Sequence, residues 1–305
     1  MKKTQLKNSL LLLLTATIWG MAFVSQSKGM DYMHPFTFNG VRSLIGAAGI
    51  LVYILISRKI AGDKAAKLDW KLNVRAGLLC GIFLTIASTL QQFGIKYTSV
   101  GKAGFITTLY IIFVPMFGVF LKKKVAPVVW AAAGMAAVGM YLLCMTESLR
   151  LGAGDIMVFL CAIAFAIQIM TVDHYAARID GAVVSCIQFT VCGVVCCIGA
   201  LIWGQPTFGQ IQEGLGALLY AGVLSCGVGY TLQIVGQKGL NPTVAALIMS
   251  LESVIATISG WIAYKIGFLS TDQTLTPRQI AGCVIVFAAV ILVQLPPEWF
   301  RFGKK

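Results

Sequence analysis

The sequence predicts an all-α membrane protein of ten transmembrane helices, arranged as an inverted 5+5 repeat. Of its 305 residues, 58% are hydrophobic and only 11% are charged, a composition typical of membrane proteins. The apolar residues form runs of about 20, the length that crosses the roughly 30 Å hydrocarbon layer of a bilayer. None of these runs alternates as barrel strands do, and backbone amides in lipid need partners within their own segment. The spans are therefore expected to be helices.

Ten such runs are separated by charged or turn residues. The first follows Lys2, Lys3 and Lys7 as in a signal peptide, but no small-x-small cleavage site closes it, so we expect an uncleaved helix. The predicted spans are about 9–27, 35–57, 72–95, 101–121, 125–144, 155–174, 182–203, 215–235, 242–265 and 277–295.

Lysine and arginine residues orient the predicted spans. With the N-terminus inside, the segments on the inner side carry 17 of these residues and those on the outer side carry 6. This bias predicts that both termini lie in the cytoplasm. The net charge of +13 is accounted for by this clustering, and no nucleic-acid partner is expected.

The fourth and ninth spans have a similar design. At an offset of 142 residues, Tyr110 of span four falls on Glu252 of span nine. At the same offset, Gln91 of span three falls on Gln233 of span eight. The correspondence predicts an internal repeat.

The predicted repeats are residues 1–146 and 147–305. Each contains five spans, and because five is odd, the second copy must be upside down relative to the first. Binding sites in such proteins lie near the midplane of the membrane, between the repeats.

Several short motifs follow one another in a recognisable order. They are Trp19-Gly20 with Phe23 in span one, Asn39 with Arg42 in span two, Gly104-Phe105-Ile106-Thr107 through Pro115 in span four, and Leu251-Glu252-Ser253-Val254 in span nine. With these motifs the chain resembles the EamA family, the ten-helix branch of the drug/metabolite transporter superfamily. The resemblance implies a plasma-membrane carrier that moves small metabolites, often amino acids and usually outward, by alternating access. It also implies a central cavity lined by spans one, three, four, six, eight and nine.

The chain departs from the family pattern at two places. Ser253 stands where the family often has proline, and the segment from Tyr264 to Gly267 lacks the acid that often ends span nine. If that acid helps to gate the outer side, this protein must do so differently.

Glu252 is the main candidate for chemistry. A charge at mid-bilayer costs at least about 2.5–3.5 kcal/mol on insertion scales, so it indicates function by default. Glu252 could bind an ammonium group, or couple transport to a proton, because desolvation favours the neutral carboxyl. The alternative is a structural carboxyl at a helix-packing interface.

Further polar and aromatic residues lie within the spans. Those predicted to bind substrate, together with Glu252, are Trp19, Phe23, Gln91, Thr107, Tyr110, Phe165, Gln168, Tyr230 and Gln233. For each, packing or hydrogen bonding between helices is the alternative. Arg42 could attract an anionic group, but we expect a structural anchor because span two lies outside the ring of spans that the resemblance implies.

No motif indicates an enzyme or an ATP-driven pump. The sequence has no phosphate-binding Gly-x-x-x-x-Gly-Lys-Ser/Thr. The nine cysteines lie mostly in apolar spans, and packing is the favoured interpretation over a soft-metal pair at Cys192 and Cys196. We therefore expect no catalytic residues, no metal and no cofactor.

The predicted function is secondary-active export of amino acids or related small metabolites through a central cavity, by a monomer or homodimer in a bacterial plasma membrane. The alternatives are translocation of a lipid or lipid-linked sugar and, less favoured, an intramembrane enzyme.

Overall fold

The computed structural model describes residues 3–62, 68–122, 125–144, 152–270 and 272–294. Within these ranges every regular element is a helix. The predicted all-α fold is thereby confirmed. Some of the basic residues used to orient the chain, among them Lys64, Lys67 and Arg301, lie outside the described residues.

The described residues form fourteen α-helices and two π-helical stretches. The α-helices are α1 (Lys3–Gly29), α2 (Pro35–Ala61), α3 (Trp70–Ile95), α4 (Val100–Thr108), α5 (Tyr110–Phe120), α6 (Pro127–Cys144), α7 (Ala153–Tyr175), α8 (Gly181–Gly199), α9 (Phe208–Glu213), α10 (Leu215–Leu219), α11 (Tyr230–Gln237), α12 (Pro242–Met249), α13 (Leu251–Lys265) and α14 (Pro277–Gln294). The π-helical stretches are Ala200–Gly204, which continues α8, and Tyr220–Gly229, which joins α10 to α11.

Eight helical segments are long and apolar enough to cross a membrane, and they coincide with predicted spans one to four and six to nine. Two further apolar stretches, Pro127–Gly139 and Pro277–Leu292, lie within α6 and α14 at the positions of spans five and ten. The protein is thus an integral membrane protein, and the count of ten spans stays a prediction.

Local sequence explains where several helices begin. The side chains of Asp69, Ser99, Asp180 and Asn241 each accept a hydrogen bond from a backbone N–H in the first turn of the helix that follows. Such caps satisfy amide groups that have no partner within the helix. The caps therefore determine where α3, α4, α8 and α12 begin.

The helices of the fourth and ninth spans each depart from regular α geometry at one residue near the middle. Leu109 lies between α4 and α5 with ψ of −10°, and Ser250 lies between α12 and α13 with ψ of −15°. Both residues keep right-handed helical dihedral angles, so each span remains one helical segment, as the sequence predicts. Tyr110 and Glu252 follow these positions by one and two residues.

The tightest packing joins helices from the two halves of the chain. α1 packs on α13, α2 on α8, α3 on α7 and α6 on α14. Small residues allow the backbones to approach closely. At Gly20, a Cβ atom would lie 2.6 Å from Cβ of Ile255 and 2.8 Å from the Glu252 carbonyl oxygen. The contact between α1 and α13 therefore depends on a glycine.

Candidate functional site

A polar cavity lies among the helices that carry the predicted site residues. Its lining residues come from α1, α2, α3, α4, α5, α7, α11, α13 and the π-helical stretch at 220–229, and they are Trp19, Phe23, Gln26, Arg42, Gln91, Thr107, Tyr110, Phe165, Ile169, Ser225, Tyr230, Gln233 and Glu252. The cavity volume is about 30 Å³, which holds about two water molecules. The helices are closed tightly around these side chains.

Tyr110 and Glu252 contact each other directly. The Tyr110 hydroxyl donates a hydrogen bond to Oε1 of Glu252 at 3.0 Å, and the two residues are 2% and 3% exposed. Glu252 lies in the first turn of α13, where backbone N–H groups favour a negative charge. The pair that the offset of 142 residues identified thus meets in the cavity.

Amide side chains link α3, α4, α7, α8 and α11. Gln91 Nε2 donates to Oγ1 of Thr107 at 3.2 Å. Gln233 Nε2 donates to Oε1 of Gln168 at 3.2 Å, and Gln168 Nε2 reaches Oε1 of Gln188 at 3.5 Å. Gln168 itself does not line the cavity. Its side chain is 0% exposed, and it accepts the hydrogen bond from the Gln233 amide without lining the cavity itself.

Aromatic rings form one wall of the cavity. The rings of Trp19 and Tyr230 have centroids 4.5 Å apart, and Phe189 meets Tyr230 edge-on at 5.0 Å. Nε1 of Trp19 is buried and has no hydrogen-bond partner among the described residues. Phe23 and Phe165 complete the apolar part of the lining.

Arg42 also lines the cavity, although we expected span two to lie outside it. Its side chain is 5% exposed, and its guanidinium carbon lies 5.4 Å from the centre of the Phe38 ring. Helix α2 comes close to the π-helical stretch because Gly222 faces it. A Cβ atom on Gly222 would lie 2.9 Å from the Arg42 carbonyl oxygen. A long arginine side chain on such a closely packed helix reaches the cavity.

Three other residues that line the cavity were not predicted: Gln26, Ile169 and Ser225. Gln26 is an amide late in span one, which was an available signal. Ser225 lies within the π-helical stretch, and no sequence signal marks that geometry. Ile169 lies 146 residues after Phe23, and a correspondence between these two positions was the available signal.

Ser253, the departure from the family pattern, makes two local hydrogen bonds. Its backbone N–H donates to the Ser250 carbonyl at 3.1 Å and its hydroxyl donates to the same oxygen at 2.8 Å. Proline could make neither bond, because it has no N–H and no hydroxyl. The serine therefore stabilises the local turn between Ser250 and Ser253 with two hydrogen bonds that a proline could not make.

The described residues contain no group of three or more histidine, cysteine, aspartate or glutamate side chains that could hold a metal ion. Sγ of Cys192 lies 3.5 Å from Oγ of Ser43 and 3.4 Å from Oγ of Ser88.

Between α1 and α2, burial lowers the pKa of His34, and the positive charge of Lys96 lowers this pKa further.

Comparison with known proteins places these features in context. The family model of EamA-like transporters matches residues 6–145 and again residues 152–295. An uncharacterised transporter of Archaeoglobus fulgidus is 28% identical over 93% of this chain and 84% of its own length. The uncharacterised transporter YwfM of Bacillus subtilis is 24% identical over 95% of this chain and 94% of its own. A solved crystal structure with 16% identity covers 97% of this chain and 99% of its own with a TM-score of 0.74, which shows a shared fold.

Proposed function

The chain belongs to the EamA-like transporter family and is a membrane transporter, and on that premise we propose that it exports amino acids or related small metabolites by secondary-active transport. The observation that carries the proposal is the closed cavity in which Tyr110 and Glu252 meet. A buried carboxyl group within membrane-spanning helices is costly and indicates a binding or proton-relay site.

The proposed architecture is ten spans in two inverted repeats, residues 1–146 and 147–305. Two separate matches to one family model support the division, as does packing that pairs helices from the two halves. In this arrangement both termini lie in the cytoplasm of a bacterial plasma membrane, and the cavity lies near the midplane.

The way the two halves of the chain share the cavity supports an alternating-access mechanism. Its lining comes from both halves, with Tyr110 in the first and Glu252 in the second, and binding sites of inverted-repeat transporters lie between the repeats. We propose that the helices on either side of the cavity separate in turn, so that cargo enters from one face and leaves at the other.

Glu252 is the proposed coupling residue. It accepts its hydrogen bond from Tyr110 and lies in a desolvated position, so gain or loss of a proton there changes the charge of the cavity by one unit. We propose that proton exchange at Glu252 accompanies cargo movement.

The test is flux through purified protein in proteoliposomes preloaded with a mixture of radiolabelled amino acids. Glu252→Gln keeps the size of the side chain but cannot exchange a proton, so we expect efflux to be lost while insertion and purification stay normal. Glu213→Gln is the matched control because Glu213 is exposed at the end of α9. Equal efflux from wild type and Glu252→Gln would remove Glu252 from the mechanism, and no amino-acid flux by wild type would refute the proposed cargo.

A further inference from the structure

Arg42 is a buried cation without an anionic partner. The ion pairs among the described residues are Lys28 with Asp31 and Lys102 with Asp155, and neither involves Arg42. Nε of Arg42 is buried and makes no hydrogen bond within the described part of the chain. The guanidinium also lies over the face of the Phe38 ring, which attracts the guanidinium without accepting its N–H groups.

Such an arrangement costs stability. A buried charge without a partner loses its hydration and gains little in return. A residue that only anchored helices would be expected to direct its five N–H donors at backbone carbonyls or a carboxylate. Arg42 instead faces the cavity, as expected of a hydrogen-bond donor whose partner is a bound ligand.

The other unpartnered atoms in the cavity complement Arg42. Nε1 of Trp19 is a second donor without a partner, and Oε1 of Gln26 and Oε1 of Gln233 are acceptors without partners among the described residues. Glu252 adds an acidic group that is not paired with Arg42. The lining therefore offers positive and negative recognition groups together, which a molecule with one anionic and one cationic group would satisfy.

We propose that Arg42 binds the carboxylate of the transported molecule, and that the cavity selects zwitterionic cargo by holding this carboxylate apart from the ammonium group. The inference rests on the proposed function and adds to it the group that is recognised and the residue that recognises it. The guanidinium fork matches a carboxylate with two parallel hydrogen bonds. Amines, polyamines and neutral sugars, which have no carboxylate, would be poor cargo.

The first test needs no cargo. Arg42→Met replaces the guanidinium with an apolar side chain, and Arg58→Met makes the same change at the far end of α2. If Arg42 has no protein partner, the thermal midpoint of the ligand-free Arg42→Met variant should equal or exceed that of the Arg58→Met control. A midpoint several degrees below the control would show a structural anchor and overturn the proposal.

The second test measures which group is recognised. Purified wild type is titrated with each amino acid and with the corresponding carboxamide, which keeps the ammonium group and the size but removes the negative charge. We expect wild type to prefer the amino acid, and Arg42→Met to bind it at least about tenfold more weakly, since the variant loses the charge-assisted hydrogen bonds to the carboxylate. Equal binding of acid and carboxamide by wild type, or unchanged affinity in Arg42→Met, would overturn the proposal.

The two proposals fail in different ways. If wild type binds carboxylates only through Arg42 but moves no amino acid in proteoliposomes, the proposed cargo is refuted and the carboxylate site stands. If amino-acid efflux is normal in Arg42→Met, the proposed function stands and the carboxylate site is refuted.

Discussion

The hydrogen bond between Tyr110 and Glu252 makes a quantitative prediction. A double-mutant cycle with Tyr110→Phe, Glu252→Met and the combined variant isolates the energy of the pair, because each single change removes one partner of the hydrogen bond and replaces it with an apolar group of similar length. The donor and acceptor atoms are 3.0 Å apart and both residues are buried. The structure therefore predicts a measurable coupling in the free energy of unfolding.

The size of the coupling depends on the charge of Glu252. Hydrogen bonds between neutral side chains within membranes contribute about 0.6 kcal/mol on average and about 1.7 at most, whereas bonds to charged groups contribute about 1.5–3 kcal/mol. If Glu252 exchanges a proton during transport, the coupling should rise from the lower range to the upper range as the pH is raised.

The assay is reversible unfolding of the four proteins in mixed micelles at several pH values, with helix content as the signal. A coupling of zero at every pH would refute the bond between Tyr110 and Glu252. A coupling that is measurable but constant with pH would leave the bond in place and refute proton exchange at Glu252.

Two predictions concern packing and charge away from the cavity. Gly20→Ala should lower stability by about 1–3 kcal/mol through overpacking, because the added Cβ meets α13 at 2.6–2.8 Å. The control is Gly134→Ala, which has open space around it and should have little effect on thermal unfolding. Equal thermal midpoints for the two variants would contradict the close approach of α1 and α13. Lys102→Met should lower the thermal midpoint more than Lys96→Met, because it leaves the 4% exposed carboxylate of Asp155, now 2.6 Å from Nζ of Lys102, without its cation. A midpoint that matches the Lys96→Met control would show that this ion pair contributes nothing to stability.

Periodicity and composition were enough to predict an all-helical membrane protein and the approximate position of each apolar helix. The match at an offset of 142 residues was enough to select Tyr110 and Glu252, which the structure places in contact. Nine of the ten residues predicted to bind substrate line one cavity, and their role in binding stays a prediction.

Other features could not be predicted, for identifiable physical reasons. The local departures from α geometry at Leu109 and Ser250 occur at residues that are neither glycine nor proline, so no breaker signal marks them. The π-helical stretch at 220–229 packs against α2, and no local signal in its own segment marks its geometry. Gln168 has the right chemistry and the right span, yet its amide points to Gln188 and Gln233 rather than to the cavity.

The position of Arg42 shows that a helix outside the expected ring of spans can still send a side chain into the cavity. The distance of such a helix from the cavity is set by the size of the residues between it and its neighbour, and here Gly46 and Gly222 allow α2 and the π-helical stretch to touch. A seven-atom arginine side chain then covers the remaining gap.

The small volume of the cavity has a consequence for any affinity that is measured. A space for about two water molecules is smaller than an amino acid, so on the proposed function we expect ligand to be captured by a more open form. The observed dissociation constant is then the intrinsic one divided by the fraction of molecules in that form. Weak binding to wild type would accordingly report the rarity of the receptive form rather than poor recognition, and a variant that loosens the helices without touching a lining atom would bind more tightly.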